Sequence, residues 1–478
     1  MSSLLLSFQS ALAAESELEL FKTAWDAAKA GDHESFREIK GKLQTYELYP
    51  YLQYEDYRSR RADIAADEMI GFLEAHQDWA FSRGLHMAWL RTLARNKRWT
   101  DLVAYSGDVT DTKLRCQRVR AQIILKQTDG VINEAQKLWL AGKSQPDECD
   151  PVFAWLIKND GVTENLAWQR VRLAMEADNR TLVAYLARFV PGDQRRWLDE
   201  WRKLSKKRYT GLDIFRRWPD TGTTRMIAET TLRRVARNNA QLAAAQLEAL
   251  DRHFEWSEPK RSSLLRDIAL YSAVELNDET SLHMERVPLI HRDSQLLEWW
   301  ARYLLSQRDW VGLIDVIAQF PDSIRYDDRW QYWLAQAEIR SGKVEIESGS
   351  LPELAEKATY YGFLAADELG LAYNICPLDA NITTADIDQL AARADFHRAL
   401  ELRKAQLHRW ATEEWSMAAS RLSPAELKVA AGLAQREDWT DRVIFALGNS
   451  GDLQLYDWRF PLKWQGDIQR ESKSNRLD

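Results

Sequence analysis

One eleven-residue pattern occurs twice in register along this chain. WLRTLARNKRW (89–99) and WARYLLSQRDW (300–310) align Trp89 with Trp300, Arg91 with Arg302, Leu93 with Leu304 and Trp99 with Trp310. Each copy runs out of an apolar-periodic stretch, through a polar turn, to the aromatic that opens the next stretch; Leu102 and Leu313 match again beyond it. LAQREDWTD (433–441) repeats the turn, with Thr440-Asp441 echoing Thr100-Asp101, and looser copies stand at AKAGDHESF (28–36) and RWQYWLAQAEIRSGK (329–343). A single helix hairpin cannot bury its apolar face alone, so hairpins repeated in this way must stack on one another.

The period within the copies is helical. Asp309 can cap a helix that places Trp310, Leu313, Ile314 and Ile317 at i, i+3, i+4 and i+7, with Pro321 beyond its end. The segment before it sets Leu296, Trp299, Trp300, Tyr303 and Leu304 on one stripe, opened by Asp293 or Ser294. No run alternates as a strand should, and Val344-Glu345-Ile346 is too short to count. Gly (20) and Pro (12) are scarce in 478 residues, which argues against turn-rich β folds. The expected class is all-α. The 21 Trp read mainly as knobs between helices rather than as sugar-stacking platforms.

Other features set limits on function. A net charge of -7 argues against a nucleic-acid binder, which carries a basic excess. Three Cys exclude a disulfide-dense scaffold and a four-Cys zinc site. No stretch reaches the roughly 18 apolar residues of a membrane span. Residues 1–14, MSSLLLSFQSALAA, read as the remnant of a signal peptide, with Ala11-Leu12-Ala13 as a small-residue cleavage pattern; export implies an oxidising compartment. HExxH, Walker A, G-x-G-x-x-G and G-x-S-x-G motifs are all missing from the sequence. His397 and His408 read as a solvated pair on one helix face, and Glu413-Glu414 and Asp327-Asp328 as ordinary surface charge.

YYGFLAADELG (360–370), CDPVFAWLIKND (149–160), LAWQRVRLAMEADN (166–179), EEWSMA (413–418) and RFPL (459–462) resemble segments of the periplasmic soluble lytic murein transglycosylases, and the likeness runs from about residue 16 to the end. It implies a right-handed superhelical solenoid of stacked helix hairpins, closed into a horseshoe or ring by a small helical linker domain. The corresponding division is a U-shaped solenoid at 15–373, a connector at 374–385, the linker domain at 386–455 and a lead-in to the catalytic domain at 456–478. Family members cleave murein between N-acetylmuramic acid and N-acetylglucosamine without water, leaving a 1,6-anhydro product and using no cofactor. Their catalytic glutamate lies in a Glu-Ser motif ahead of a Gly-rich segment and a Met-Gln pair. Here Glu471-Ser472, in IQRESKSNRLD, lacks that context, so no catalytic residue is assigned. The expectation is a non-catalytic periplasmic scaffold of the Gram-negative type, inactive alone, with the lysozyme-like domain absent. Its partners would be peptidoglycan and cell-wall synthesis or hydrolysis proteins. The resemblance also implies a disulfide between Cys116 and Cys149, leaving Cys376 over.

One charge feature remains. Arg188 to Arg237 holds 14 Lys or Arg against 6 Asp or Glu. Arg216, Arg217, Arg233, Arg234 and Arg237 are the candidate peptidoglycan-binding residues, because guanidinium forks match the carboxylates of stem peptides. The same charges would also serve as salt bridges between adjacent helices of a solenoid. A helical-repeat platform for proteins, in the manner of tetratricopeptide repeats and without sugar affinity, is the alternative function.

Overall fold

The repeated turn has a single geometry. Lys97 (φ 57°), Arg308 (φ 57°) and Asp438 (φ 54°) are all left-handed. The next amide reaches back five residues, Arg98 N to Leu93 O at 2.9 Å, Asp309 N to Leu304 O at 3.0 Å and Trp439 N to Ala434 O at 2.7 Å. The left-handed residue itself closes on the carbonyl three residues back, as in Lys97 N to Ala94 O at 3.2 Å. These paired bonds satisfy helix-end carbonyls as a Schellman turn does. Asp178-Asn179 and Gln406-Leu407 repeat them. A new helix starts at once: the Asp309 carboxylate accepts from Gly312 N at 2.9 Å, and the Asn179 side chain from Leu182 N at 3.1 Å.

The computed structural model describes residues 17–206, 209–346, 349–375, 379–452, 454–462 and 464–477. The leader at 1–14, Cys376, Lys207 and Arg208 lie outside the described residues. Among the described residues every regular element is a helix and there is no strand. The fold is the all-α superhelical one, as expected.

Two compact units divide the chain. The first comprises the chain up to Lys126 together with everything from Cys376 on; the second is Gln127–Ile375. In the first unit, helices such as Tyr49–Arg60 and Ala80–Arg95 share one core with Ala394–Lys404, His408–Ala419 and Pro424–Arg436. Phe21, Tyr51, Phe81 and Trp89 are packed into the same cluster as Phe396, Trp415 and Leu433, all of them at most 1% exposed. In the second unit, successive helices pack chiefly on their neighbours, as Ser294–Gln307 does on Glu258–Val274 and on Trp310–Ile317. Eleven of the 21 tryptophans are buried, so the indoles do act mainly as knobs.

The YYGFLAADELG segment is a helix, Tyr360–Leu369, whose two glycines have separate tasks. Thr359 Oγ1 accepts from Gly362 N at 3.2 Å, and a side chain on Gly362 would run into the carbonyls of Lys357 and Leu354. Gly370 (φ 64°) ends the helix left-handed.

Two expectations fail. Glu414 is not surface charge: at 1% exposure it takes both Arg398 Nε (2.9 Å) and Nη2 (2.7 Å), the Tyr51 hydroxyl (2.6 Å) and Ala80 N (2.9 Å). The carboxylate turns inward because the facing helices supply a full set of donors, which sequence adjacency to Glu413 cannot show. His397 and His408 do not share a helix either, since Ala394–Lys404 ends before His408–Ala419 begins. His397 instead pairs with Glu47 at 2.5 Å.

Candidate functional site

Arg233 and Arg234 occupy the last turn of the helix Gly222–Ala236, with Arg237 as its C-cap. Four and three residues before it, Arg233 and Arg234 each stand one turn from Arg237. All three line a groove of about 110 Å³ with Met175, Glu176, Trp201, Tyr209 and Thr230. Met175 and Glu176 come from the helix Glu164–Glu176, and Trp201 from Arg195–Lys206. Arg216 and Arg217 end the short 3₁₀ helix Leu212–Arg217; the structure leaves them exposed and outside the lining of this groove.

The five arginines do different jobs. Arg233 is committed to the fold, bonding Glu229 at 3.1 Å, Ser263 Oγ at 2.9 Å and Asp267. Arg234 donates one Nη to the carbonyl of Glu176 at 3.0 Å, which pins it across the groove and leaves the rest of its fork free. Arg216 pairs with Asp213. The side chains of Arg217 and Arg237 make no ion pair or hydrogen bond among the described residues, and both are exposed. The groove therefore presents one wholly free and one half-free guanidinium at its mouth. Trp201 is 1% exposed and forms the floor, so Tyr209, half-buried, is the ring that a ligand can reach. Such a site can hold an anionic group, above all a carboxylate, against an aromatic edge.

Cys116 and Cys149 are both disulfide-bonded and fully buried. Glu471 lies on the helix Gln465–Asn475, which has no buried residue, so among the described residues nothing surrounds its carboxylate as a cleft. Glu47, His397 and Glu401 bring three possible metal donors within 4.8 Å. His397 already meets Glu47 at 2.5 Å, and Lys404 pairs with Glu401 at 2.6 Å, so all three donors have a partner within the protein. Among the described residues no helix is long and apolar enough to cross a membrane.

The sequence profile of the soluble lytic murein transglycosylase L domain matches residues 389–452. The soluble lytic murein transglycosylase of Escherichia coli K12 is 26% identical over 461 residues, which cover 95% of this chain and 70% of that protein. The Salmonella typhimurium enzyme of the same name is 28% identical over 463 residues, with the same coverage. An inactive mutant of the Pseudomonas aeruginosa lytic transglycosylase Slt superposes with a TM-score of 0.79 at 27% identity, over 96% of this chain and 75% of that one. The chain is a homologue of the soluble lytic murein transglycosylases. The 70-kDa transglycosylase of E. coli shares the fold, with a TM-score of 0.72 at 24% identity over 96% of this chain and 74% of that one. A profile of the cucumovirus coat protein also matches residues 90–211. It carries no weight beside relatives that span nearly the whole chain.

Some of this transglycosylase homologue's groove was open to sequence reasoning and some was not. The Arg233-Arg234-x-x-Arg237 spacing marks one helix face. Met175 and Glu176 lie nearly sixty residues earlier, and no local signal joins them to it. Arg170 also escaped notice. It is 3% exposed, its guanidinium sits 4.5 Å from the Trp139 ring centre, and its Nε donates to Ala141 O at 3.2 Å. Burial without a carboxylate partner draws its pKa down to about 10.

Proposed function

We propose that this chain is the murein-holding scaffold of a periplasmic lytic transglycosylase, with Arg234 and Arg237 as its contact to the carboxylates of stem peptides. The observation that carries the reading is the groove itself: one free and one half-free guanidinium in a lining that also holds Tyr209, in a homologue of enzymes named for murein. Arg217 extends the positive field without lining the groove, Arg216 is held by Asp213, and Arg233 holds the groove's wall through Glu229 and Asp267. The described residues supply this grip and not the glycan chemistry. A lytic transglycosylase needs a carboxylic acid kept protonated in a cleft to protonate the glycosidic oxygen, and Glu471 stands on an open helix. The periplasm is where murein and a disulfide such as that of Cys116 and Cys149 occur together.

Exposed charges are screened beyond about 8 Å at physiological ionic strength. Co-sedimentation with purified murein sacculi should therefore weaken steadily as sodium chloride rises from low to physiological concentration. Retention that does not respond to salt would exclude an electrostatic grip. Absence of any retention would favour a platform for proteins alone.

A further inference from the structure

A second cavity in the unit Gln127–Ile375 is built differently from the basic groove. It encloses about 340 Å³ between three successive helices, Ala240–Leu250, Glu258–Val274 and Thr280–Glu285. That volume falls within the range of small-molecule sites. Its floor is apolar: Ala244, Leu247, Leu265 and Ile268 are each no more than 9% exposed. Its walls carry opposite charges. The end of the first helix contributes Glu248 and Asp251, and the two helices facing it contribute Arg261 and Arg286. Arg286 Nη1 meets Glu248 Oε1 at 2.6 Å, while Arg261 forks onto Asp251 at 2.7 and 3.1 Å. Each pair leaves donors and acceptors over, because a guanidinium has five N–H groups and a carboxylate about four acceptor sites.

His283 completes the lining. Its side chain is 3% exposed. Nδ1 lies 3.1 Å from Ser272 Oγ, and Ser272 Oγ lies 3.2 Å from Thr280 Oγ1. Nε2 faces Glu279 Oε2 at 3.7 Å, beyond hydrogen-bond distance. Burial holds the imidazole below its ordinary pKa, so it is neutral at pH 7.

We infer that this cavity binds a small zwitterion, an amino acid or the end of a short peptide that carries both a free ammonium and a carboxylate. The ammonium turns to the Glu248–Asp251 wall, the carboxylate to Arg261 and Arg286, and an aliphatic side chain to Leu247, Leu265 and Ile268. A lone anion or cation gains from one wall what it loses to the other, whereas a dipolar ligand gains from both. Among the described residues no Phe, Tyr or Trp lines the cavity, so it lacks the broad ring faces on which sugars stack.

Isothermal titration of the full chain tests this with four probes: leucine, alanyl-leucine, N-acetyl-leucine amide and N-acetylglucosamine. At least one of the two zwitterions should bind saturably with a Kd of about 1 mM or tighter, and the uncharged probes at least roughly tenfold more weakly. A preference for alanyl-leucine identifies a peptide end, and a preference for leucine a free amino acid; either supports the site. Arg286→Gln and Glu248→Gln, each checked for an unchanged helical circular-dichroism spectrum, should weaken binding about tenfold. The inference is overturned if neither zwitterion binds saturably below about 10 mM, if the capped amide binds as well, or if both folded variants bind as the parent does.

Discussion

Glu414 accepts four hydrogen bonds from three different helices or their ends, and among the described residues Arg398 has no other acidic partner. Removing one member of a buried ion pair strands the other, at a cost of about 3–5 kcal/mol. Glu414→Ala should therefore lower unfolding stability in urea by roughly that amount, and Tyr51→Phe by about 1–2 kcal/mol, since it removes one charge-assisted bond. A loss below about 1 kcal/mol for Glu414→Ala would mean the pair is not load-carrying in solution. Two histidines give the fold an acid limit. Burial lowers the pKa of His86 and of His283. Below the unfolded value of 6.5 the unfolded chain takes up protons that the folded chain resists. Their contribution is thus complete above pH 6.5 and is lost as pH falls below it. The urea midpoint should be lower at pH 5.5 than at pH 7.5, by less when both are changed to Gln; equal midpoints in the parent would contradict this. None of these inner roles was legible in the sequence. Glu414 looks like Glu413 until Tyr51 and Ala80, more than three hundred residues earlier, are brought against it.

At the scale of the element, the hairpin repeat was legible because apolar spacing and caps are local. Asp309 caps the helix it was expected to cap, and of Asp293 and Ser294 it is Asp293 that caps the one before, accepting from Gly312 N and Leu296 N at 2.9 Å each. What the sequence hid is that three of these turns run left-handed on Lys97, Arg308 and Asp438, at the place held by Gly31 and Gly342 in the looser copies. A left-handed conformation costs an ordinary residue about 1–2 kcal/mol, partly offset by the chain entropy that glycine loses on folding. Arg308→Gly should accordingly leave the thermal midpoint unchanged or raise it, with a gain of up to about 1 kcal/mol. Gly362→Ala should act in the opposite sense, losing about 1–3 kcal/mol to the collision with the carbonyls of Lys357 and Leu354. A destabilising Arg308→Gly together with a neutral Gly362→Ala would show that the turn geometry described here is wrong.

For the molecule as a whole, a reading along the chain sees composition change near residue 374 and divides there. It has no means of finding that Phe21, Tyr51 and Trp89 lie in the same core as Phe396, Trp415 and Leu433, because that is a property of closure and not of period. The basic segment shows the same boundary between what is local and what is not. Its charge was plain in the sequence, but the division into fold-holding Arg233, half-free Arg234 and free Arg237 depends on Glu229, Asp267 and Glu176. The most direct test of the scaffold reading is co-sedimentation of the double variant Arg234→Glu/Arg237→Glu with purified murein sacculi at low salt, its helical circular-dichroism spectrum matched to the parent. The parent should pellet with the sacculi, and the variant at least about fivefold less. Equal pelleting of the two proteins would contradict that reading.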